Sequence, residues 1–405
     1  MEDLKKITNA IITALDSWLI DFDGRKLDAL DKFLFLLLRY KEILALKGKK
    51  KEAMRYGVLI DRWSDYRNIL MKKSLHLGIS NKMIKEKLFQ SPSRLILLIT
   101  HNCQLRCSYC RVGKYPAVMN EQIMKKGINL ALSFNRTKVQ IQFFGGEPLL
   151  CFDIIKKAVY YANALNKKKK KDLSFIVTTN GIALTPEKIK FFKKHRFIVE
   201  CSFDGEASTQ LKNRKAKNGS DYYNIVEKNF RNLTRSGAIY YSISVVTPKD
   251  VSKMYDNFIY LVRIGFRKIQ INYNLGVMWR LKNRQEFFRQ NKKIIAYAKK
   301  NKIEFINLTK HRKEPVVLNA EHTVDCDGEI YLESGICLEE DFENMKKKFR
   351  TASLKGVNMP HLTEKSQFKN FYKLEKAYCA SKPVFRDIIL NNVEFGLAYK
   401  KYLET

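Results

Sequence analysis

Apolar and polar residues alternate with two different periods through the middle of the chain. Short apolar runs rich in β-branched and aromatic residues predict six strands, at 95–100, 139–144, 173–178, 197–203, 239–246 and 268–273. Between them lie segments in which apolar residues recur at helical spacing, at 120–134, 152–166, from 186, 222–236, 251–264 and 283–301. This alternation predicts a parallel sheet with right-handed crossovers. Six units are too few to close an eight-stranded barrel, so the fold class is α/β with a partial (β/α)6 TIM-like barrel.

The segments on either side of this pattern are different in character. Residues 1–92 have apolar positions at helical spacing, and Ser91-Pro92-Ser93 marks a boundary. A short strand is predicted at 304–307, and helical spacing returns within 345–405. We therefore expect a helical N-terminal region at 1–92, the barrel at 93–310, and a mixed, mostly helical C-terminal extension at 311–405.

Three cysteines follow the first predicted strand at C-x3-C-x2-C spacing, Cys103, Cys107 and Cys110. Three thiolates on one tight loop can hold three corners of a cubane iron–sulfur cluster, whereas a cluster that only transfers electrons normally has four protein ligands. Three ligands leave one iron open to a substrate or cofactor. A structural zinc loop is the alternative, but no fourth Cys or His lies at short spacing, and His101 precedes the loop.

Other polar motifs also fall where predicted strands end. Gly-Gly-Glu-Pro at 145–148 follows the second strand, Thr-Asn-Gly at 179–181 the third, and Ser-Phe-Asp-Gly at 202–205 the fourth. Two adjacent glycines allow a backbone to approach a ligand closely, and a carboxylate beside them can accept hydrogen bonds from an ammonium group. Active sites of barrel folds lie at the C-terminal ends of the strands, so these motifs are expected to share one site.

Together these motifs resemble those of the radical S-adenosylmethionine (radical SAM) superfamily, and most of all its peptide- and protein-modifying branch. The resemblance covers residues 94–280. It implies that Cys103, Cys107 and Cys110 hold one [4Fe–4S] cluster whose open iron binds S-adenosylmethionine. It also implies a set of cofactor contacts, which are Tyr109, Gly145, Gly146, Glu147, Asn180, Ser202, Asp204, Arg214 and Leu275.

The implied roles differ between these residues. By the resemblance, the glycines and Glu147 bind the methionine amino end and Tyr109 lies near the adenine. Ser202 and Asp204 would contact the ribose or carboxylate, Arg214 the methionine carboxylate, and Leu275 the adenine. Three of these residues also have plain alternatives. Arg214 could be a solvated loop charge, Leu275 a core residue, and Asn180 a turn residue before Gly181.

The C-terminal extension matches relatives of this branch only in part. A hairpin is predicted around Asp327-Gly328. Relatives place a cysteine after this hairpin, followed in sulfatase-maturating enzymes by an aspartate, where this chain has Glu333 and Ser334. That departure argues against sulfatase maturation. Downstream of the barrel only Cys326, Cys337 and Cys379 remain, either as ordinary thiols or as ligands of a second cluster.

Composition and charge narrow the setting. The chain has 405 residues, eight scattered cysteines and 45% hydrophobic residues, which fits a folded protein of a reducing cytoplasm rather than a disulfide scaffold. No signal peptide is apparent, and the longest apolar run is too short to span a bilayer. The net charge of +35 could attract an acidic partner, or it could reflect lysines that fill solvated positions.

These observations predict a radical SAM enzyme. It would cleave S-adenosylmethionine to a 5′-deoxyadenosyl radical, which abstracts hydrogen from a peptide or protein. An external electron donor, flavodoxin- or ferredoxin-like, is then a required partner. The alternatives are a radical SAM enzyme that modifies RNA, motivated by the positive charge, and a cluster-binding partner protein without turnover.

Overall fold

The structure is a computed structural model, which describes part of the chain. The described residues are 92–110, 112–308, 321–332 and 350–358, with shorter pieces at 41, 48, 51–54, 56–57, 60, 360, 362, 388, 391–392, 394–396, 398–399 and 402–403. The chain divides into two compact units, one of residues 1–90 and 363–369 and the other of residues 91–362 and 370–405. Most of the predicted N-terminal helices, the helical pattern at 363–387 and residues 333, 334, 337 and 379 lie outside the described residues.

The second unit is built on a ten-stranded sheet whose middle is parallel. Its strands are β1 (Arg94–Thr100), β3 (Lys138–Gly145), β4 (Asp172–Thr179), β5 (Ile198–Ser202), β7 (Ile239–Val246), β8 (Lys268–Tyr273), β9 (Glu304–Phe305), β10 (His322–Val324), β11 (Glu329–Leu332) and β12 (Arg350–Ser353). They are ordered β12-β11-β10-β1-β3-β4-β5-β7-β8-β9. Two more strands, β2 (Leu105–Cys107) and β6 (Arg214–Ala216), form a separate two-stranded sheet.

Helices connect the parallel strands as predicted. They are α1 (Glu121–Leu132), α2 (Phe152–Lys169), α3 (Pro186–Lys194), α4 (Ala207–Asn213), α5 (Tyr223–Arg235), α6 (Met254–Ile264) and α7 (Leu281–Lys300). Short 3-10 helices occupy Pro148–Cys151, Val251–Lys253 and Ile306–Leu308. This mixed α/β architecture with six parallel strand-and-helix units confirms the predicted fold class. In the described residues no helix is both long and apolar enough to cross a membrane.

Local sequence explains where several helices begin and end. The side chain of Asn120 accepts a hydrogen bond from the Ile123 backbone N–H at 2.8 Å, which caps α1. Thr185 caps α3 and Pro186 takes its first position, where the missing N–H of proline costs nothing. Gly265 ends α6 with a φ of 119°, in the left-handed region that glycine enters without strain.

The core lies between the sheet and the helices that cover it. Phe143 of β3, Phe175 of β4 and Phe197, the residue just before β5, stack with ring centroids 5.3–6.2 Å apart. A second aromatic group joins the barrel to the described C-terminal helical residues, because the ring of Phe395 packs 4.7 Å from Tyr273 and 4.8 Å from Trp279. Buried aromatic rings of this size contribute strongly to the stability of the unit.

The predicted hairpin forms, but its position in the sheet was not predicted. β10 and β11 pair antiparallel, and β10 also pairs parallel with β1, with Leu95 opposite His322 and Leu97 opposite Val324. The hairpin therefore extends the barrel sheet at the edge of β1. As β1 and β10 run in the same direction, the turn after β10 lies at the same end of the sheet as the cysteine loop.

Candidate functional site

The cysteine loop is fixed at both ends by backbone pairing. It leaves β1 at Thr100, and its central residues form β2, which pairs antiparallel with β6 so that Cys107 lies opposite Arg214. Further bonds run from the Ser108 N–H to the Asn213 carbonyl at 2.8 Å and from the Lys217 N–H to the Gln104 carbonyl at 2.8 Å. These backbone bonds give the loop a defined conformation.

The three predicted cluster cysteines are free thiols that face one another closely enough to interact electrostatically. Burial raises the pKa of Cys107 to about 12, Arg214 opposes this effect, and the charges of Cys110 and Cys103 add to it. Burial likewise raises the pKa of Cys103, and the charge of Cys110 contributes. Thiolates gathered in a buried place need a cation to become stable, and iron supplies one. The donor set therefore fits a cluster held by three cysteines.

The two glycines of the 145–148 motif lie directly against the cysteine loop. The Gly146 N–H donates to the Thr100 carbonyl at 2.7 Å, and the Glu147 N–H donates to the Asn102 carbonyl at 2.8 Å. A Cβ added at Gly146 would lie 2.2 Å from the Asn102 oxygen, and one at Gly145, whose φ is 139°, would lie 2.3 Å from the Thr100 oxygen. Only glycine allows this approach, because real Cβ atoms do not come so near to backbone.

The carboxylate of Glu147 is completely buried beside the loop. It accepts hydrogen bonds from the Asn180 N–H at 2.7 Å, the Thr179 hydroxyl at 2.8 Å and the Leu149 N–H at 3.1 Å. Burial raises the pKa of Glu147 to about 7, although these three bonds favour the charged form. A carboxylate accepts about four hydrogen bonds, so it can take one more donor, and an ammonium group would also lower its pKa.

Asp204 and Arg214 form a buried pair beside the loop, and the half-buried Tyr109 of the loop joins them. Arg214 donates to the two oxygens of Asp204 from Nε at 3.0 Å and Nη2 at 3.1 Å, and the Tyr109 hydroxyl also donates to Asp204. The guanidinium carbon lies 5.2 Å from the centroid of the Tyr109 ring. Burial would lower the pKa of Arg214, but the charges of Asp204, Tyr109 and Cys107, together with the hydrogen bonds to Asp204, outweigh burial and raise it. Burial raises the pKa of Tyr109, which therefore keeps its proton.

The remaining predicted cofactor contacts, Asn180, Ser202 and Leu275, differ in their surroundings. Asn180 accepts from the Ile182 N–H at 3.0 Å, as a turn residue would, but its Nδ2 also lies 3.6 Å from the Cys103 sulfur and 3.4 Å from the Gln104 side chain. Ser202 is half-buried at the last position of β5, and Leu275 is half-buried against the core after β8. The hydrogen bonds described above do not include Ser202 or Leu275. Arg214 is 5% exposed, so the alternative of a solvated loop charge is wrong.

A buried polar group lies on the strands just before the C-terminal ends that carry these motifs, and it was not predicted from the sequence. Glu200, two residues before Ser202 on β5, is 4% exposed and accepts from the Thr178 hydroxyl at 2.7 Å, the Gln142 amide at 3.0 Å and the Tyr241 hydroxyl. Barrel interiors are usually filled by branched apolar side chains. The available signal was a single charged residue inside an apolar strand.

Parts of the sequence match a known family and known proteins. Residues 97–262 match the model of the radical SAM superfamily. The chain is 27% identical to a cysteine-type anaerobic sulfatase-maturating enzyme of Clostridium novyi, over 42% of this chain and 48% of the relative. It is 26% identical to the radical SAM cyclopropyl synthase TigE of Paramaledivibacter caminithermalis, over 40% of this chain and 36% of the relative. The chain spans about half the length, or less, of these two curated relatives.

Solved structures share the fold. The structure described as native anSMEcpe with bound AdoMet superposes with a TM-score of 0.61 at 19% identity, over 77% of this chain and 96% of that one. The same protein with bound AdoMet and the Kp18Cys peptide gives 0.61 at 18% identity, over 76% and 95%. Residues 97–262 are therefore a radical SAM domain, in a chain that resembles the sulfatase-maturase-like branch. Radical SAM proteins use a [4Fe–4S] cluster and S-adenosylmethionine, which confirms both predicted cofactors and supports the prediction of an enzyme.

Proposed function

We propose that this chain, which carries a radical SAM domain, is an enzyme that modifies a peptide or protein. In this proposal Cys103, Cys107 and Cys110 hold the [4Fe–4S] cluster, and S-adenosylmethionine binds beside it. One observation carries the proposal. One loop at one end of the parallel sheet carries three free thiols and Tyr109. The buried carboxylate of Glu147 and the buried pair of Asp204 and Arg214 lie against this loop.

Once bound, the cluster and S-adenosylmethionine would supply a 5′-deoxyadenosyl radical that abstracts hydrogen from the substrate. The chain itself binds S-adenosylmethionine, orients it and excludes water from it. Glu147 offers a fourth acceptor position for the methionine ammonium, beside the two glycines that leave room for it. Arg214 uses Nε and Nη2 for Asp204, which leaves Nη1 for the methionine carboxylate.

Asp204 and Tyr109 complete this side of the cofactor pocket. The Asp204 carboxylate also accepts a hydrogen bond from the Val245 N–H of β7 at 3.0 Å, and the Asp204 backbone N–H donates to the Gln210 side chain of α4 at 2.9 Å, so β7 and α4 hold this residue in place together with Arg214. The Tyr109 ring, fixed between Asp204 and the guanidinium, offers an apolar face to the adenine. Ser202, Asn180 and Leu275 keep their proposed roles as contacts at neighbouring strand ends.

The decisive experiment is anaerobic reconstitution with iron and sulfide, followed by dithionite and S-adenosylmethionine. The native protein should form 5′-deoxyadenosine. Cys103→Ala, Cys107→Ala and Cys110→Ala should each lose the cluster and the product. Cys201→Ala is the matched control, because Cys201 is also a buried free thiol but lies outside the loop. A native protein that takes up the cluster and forms no 5′-deoxyadenosine would leave only a cluster-binding partner protein.

A peptide or protein substrate is supported by the names of the relatives and by the solved neighbour that holds a peptide. The cluster requires a low-potential reductant, so the proposal includes a flavodoxin- or ferredoxin-like donor and a cytoplasmic location. A short peptide gene beside the gene for this chain would give the first candidate substrate.

RNA is the second candidate substrate, and the net charge of +35 is the observation that favours it. If RNA is bound through many phosphates, the logarithm of the affinity should fall linearly and steeply with the logarithm of the salt concentration. RNA binding that is weak and insensitive to salt would remove this candidate.

A further inference from the structure

The turn after β10 lies beside the cysteine loop although it is far away in sequence. Asp325 follows the last residue of β10, and His101 follows the last residue of β1. These strands are parallel neighbours, so the two residues emerge at the same end of the sheet. The His101 Nε2 and the Asp325 Oδ1 are 2.7 Å apart, and the two side chains are 0% and 3% exposed.

The other nitrogen of His101 connects to the far side of the cysteine loop. Its Nδ1 lies 2.6 Å from the carbonyl oxygen of Gly113. A carbonyl can only accept, so the proton on Nδ1 is assigned from this contact. Tyr115 stacks on the imidazole at 4.0 Å between centroids, and its hydroxyl lies 3.0 Å from Nε2. The imidazole is therefore held on both edges and on one face.

These contacts close the loop that contains the three cysteines. His101 stands two residues before Cys103, and Gly113 stands three residues after Cys110. A second tie lies parallel to the first, because the Ala117 carbonyl accepts from the His101 N–H at 3.0 Å and from the Thr100 hydroxyl at 2.7 Å. The imidazole thus joins the two ends of the loop, and Asp325 holds the imidazole from outside.

A metal ion is a different use for the same residues. The ligand atoms of His101, Asp325 and Cys326 lie within 4.8 Å of one another, and all three residues are buried. However, two ligands of a tetrahedral zinc ion at about 2.0 Å each lie about 3.3 Å apart. The observed 2.7 Å between nitrogen and carboxylate is a hydrogen-bond distance. The thiol of Cys326 donates to the Leu98 carbonyl at 3.1 Å. This distance indicates a hydrogen bond between His101 and Asp325 and not two ligands of one metal ion.

We infer that Asp325 and His101 are positioning residues for the cluster loop, and that the hairpin of the C-terminal extension serves to hold this loop closed. The inference rests on the proposed function in one respect, namely that the loop carries the cluster. Asp325 acts through His101, and His101 acts through the backbone at Gly113. Together they fix the spacing of the cysteines before iron arrives.

The test compares Asp325→Asn with a matched control at the opposite end of the same two strands. There, Arg94 of β1 pairs with Glu321, the residue just before β10, at 3.2 Å. Glu321→Gln removes that tie and leaves the loop untouched. In the apo protein, iodoacetamide should alkylate the three loop cysteines of Asp325→Asn about tenfold faster than in the native protein, as expected when a buried hydrogen bond that holds the loop is lost. Glu321→Gln should stay within about twofold of the native rate.

A second measurement uses the reconstituted proteins. After reduction, the electron paramagnetic resonance signal of the native cluster should sharpen or shift as one species when S-adenosylmethionine is added. The signal of Asp325→Asn should be heterogeneous. If Asp325→Asn does not fold, His101→Gln takes its place, since glutamine can still donate to Gly113 but loses Asp325. Rescue by Asp325→Glu, which restores a carboxylate, distinguishes positioning from general destabilisation.

Three outcomes would overturn the inference. One is equal alkylation of Asp325→Asn and Glu321→Gln. Another is a single cluster signal in Asp325→Asn that matches the native one. The third is stoichiometric zinc in the native protein that is lost in Asp325→Asn, which would establish a metal site instead. The alkylation assay needs no cofactor, so failure of the proposed function, seen as a native protein without iron, is distinguishable from failure of this inference.

Discussion

The buried ion pair between Asp204 and Arg214 offers the sharpest test of how this site is built. Asp204→Asn keeps the shape of the side chain and removes its charge. The Arg214 guanidinium would then remain buried with its positive charge and no carboxylate. The two side chains are 0% and 7% exposed, so water cannot solvate the remaining charge without a rearrangement of β6.

The size of the effect follows from this burial. Removal of one partner from a buried pair costs about 3–5 kcal/mol, because the other charge stays uncompensated. Asparagine can still accept one of the two bonds from Arg214, so we expect about 3 kcal/mol. For a unit of this size such a loss lowers the unfolding temperature by about 5 °C. Under the proposed function, binding of S-adenosylmethionine should be lost as well, because the proposed cofactor contact of Asp204 and the orientation of Tyr109 both depend on this carboxylate.

The assay is thermal unfolding of the apo protein, followed by circular dichroism, together with equilibrium dialysis of S-adenosylmethionine on the reconstituted protein. The double variant Asp204→Asn with Arg214→Met separates the two effects. It removes both charges, so it should regain most of the lost stability while the cofactor still fails to bind. A loss below about 1 kcal/mol in the single variant, or a double variant no more stable than the single one, would refute the reasoning.

Three further predictions concern other parts of the unit. Gly146→Ala should abolish S-adenosylmethionine binding, since the new Cβ would meet the Asn102 carbonyl at 2.2 Å; Gly356→Ala, which meets nothing within 4 Å, should bind normally in the same dialysis experiment. Burial raises the pKa of Glu147 to about 7, so apo folding favours its protonated form: the stability that this proton gives is complete below about pH 4.5 and is lost as the pH rises through 7. Urea midpoints of the native protein should therefore fall relative to Glu147→Gln between pH 5 and 8, and parallel profiles would contradict the raised pKa. Phe395→Ala should destabilise the unit by about 3–5 kcal/mol in urea unfolding, because Phe395 is fully buried among aromatic rings; a change under 1 kcal/mol would show that the C-terminal residues do not pack on the barrel.

The parallel core was predictable because its strands are buried on both faces. In such strands nearly every residue is apolar, as in β1, whose last six residues are all buried. β7 and β8 begin and end at the predicted residues, and other boundaries moved by only a few positions. The role of the Gly-Gly-Glu-Pro motif was equally predictable, because two adjacent glycines indicate directly that the backbone approaches another group closely.

Other features depend on contacts between distant segments, and the sequence carries little sign of them. β2 and β6 are three residues each, half of these residues are charged, and the two segments become strands only because they pair with each other. The partnership of Arg214 with Asp204 and the place of β10 beside β1 arise in the same way. His101 directly follows β1, and nothing in its neighbours along the sequence identifies Asp325 as its partner.

The place of β10 beside β1 has a consequence for how the protein is made. His101 and Asp325 are 224 residues apart in the chain. At a synthesis rate of about 5–20 residues per second, Asp325 leaves the ribosome roughly 10–45 seconds after His101. During that interval the three cysteines already exist, but the outer edge of β1 is uncovered and the loop lacks its last support. Iron delivered by the assembly machinery during translation would meet an open, adaptable loop, whereas iron delivered after release would meet a closed one. Under the proposed function, the state of the loop that the cluster meets therefore depends on whether iron is delivered before or after Asp325 is synthesised.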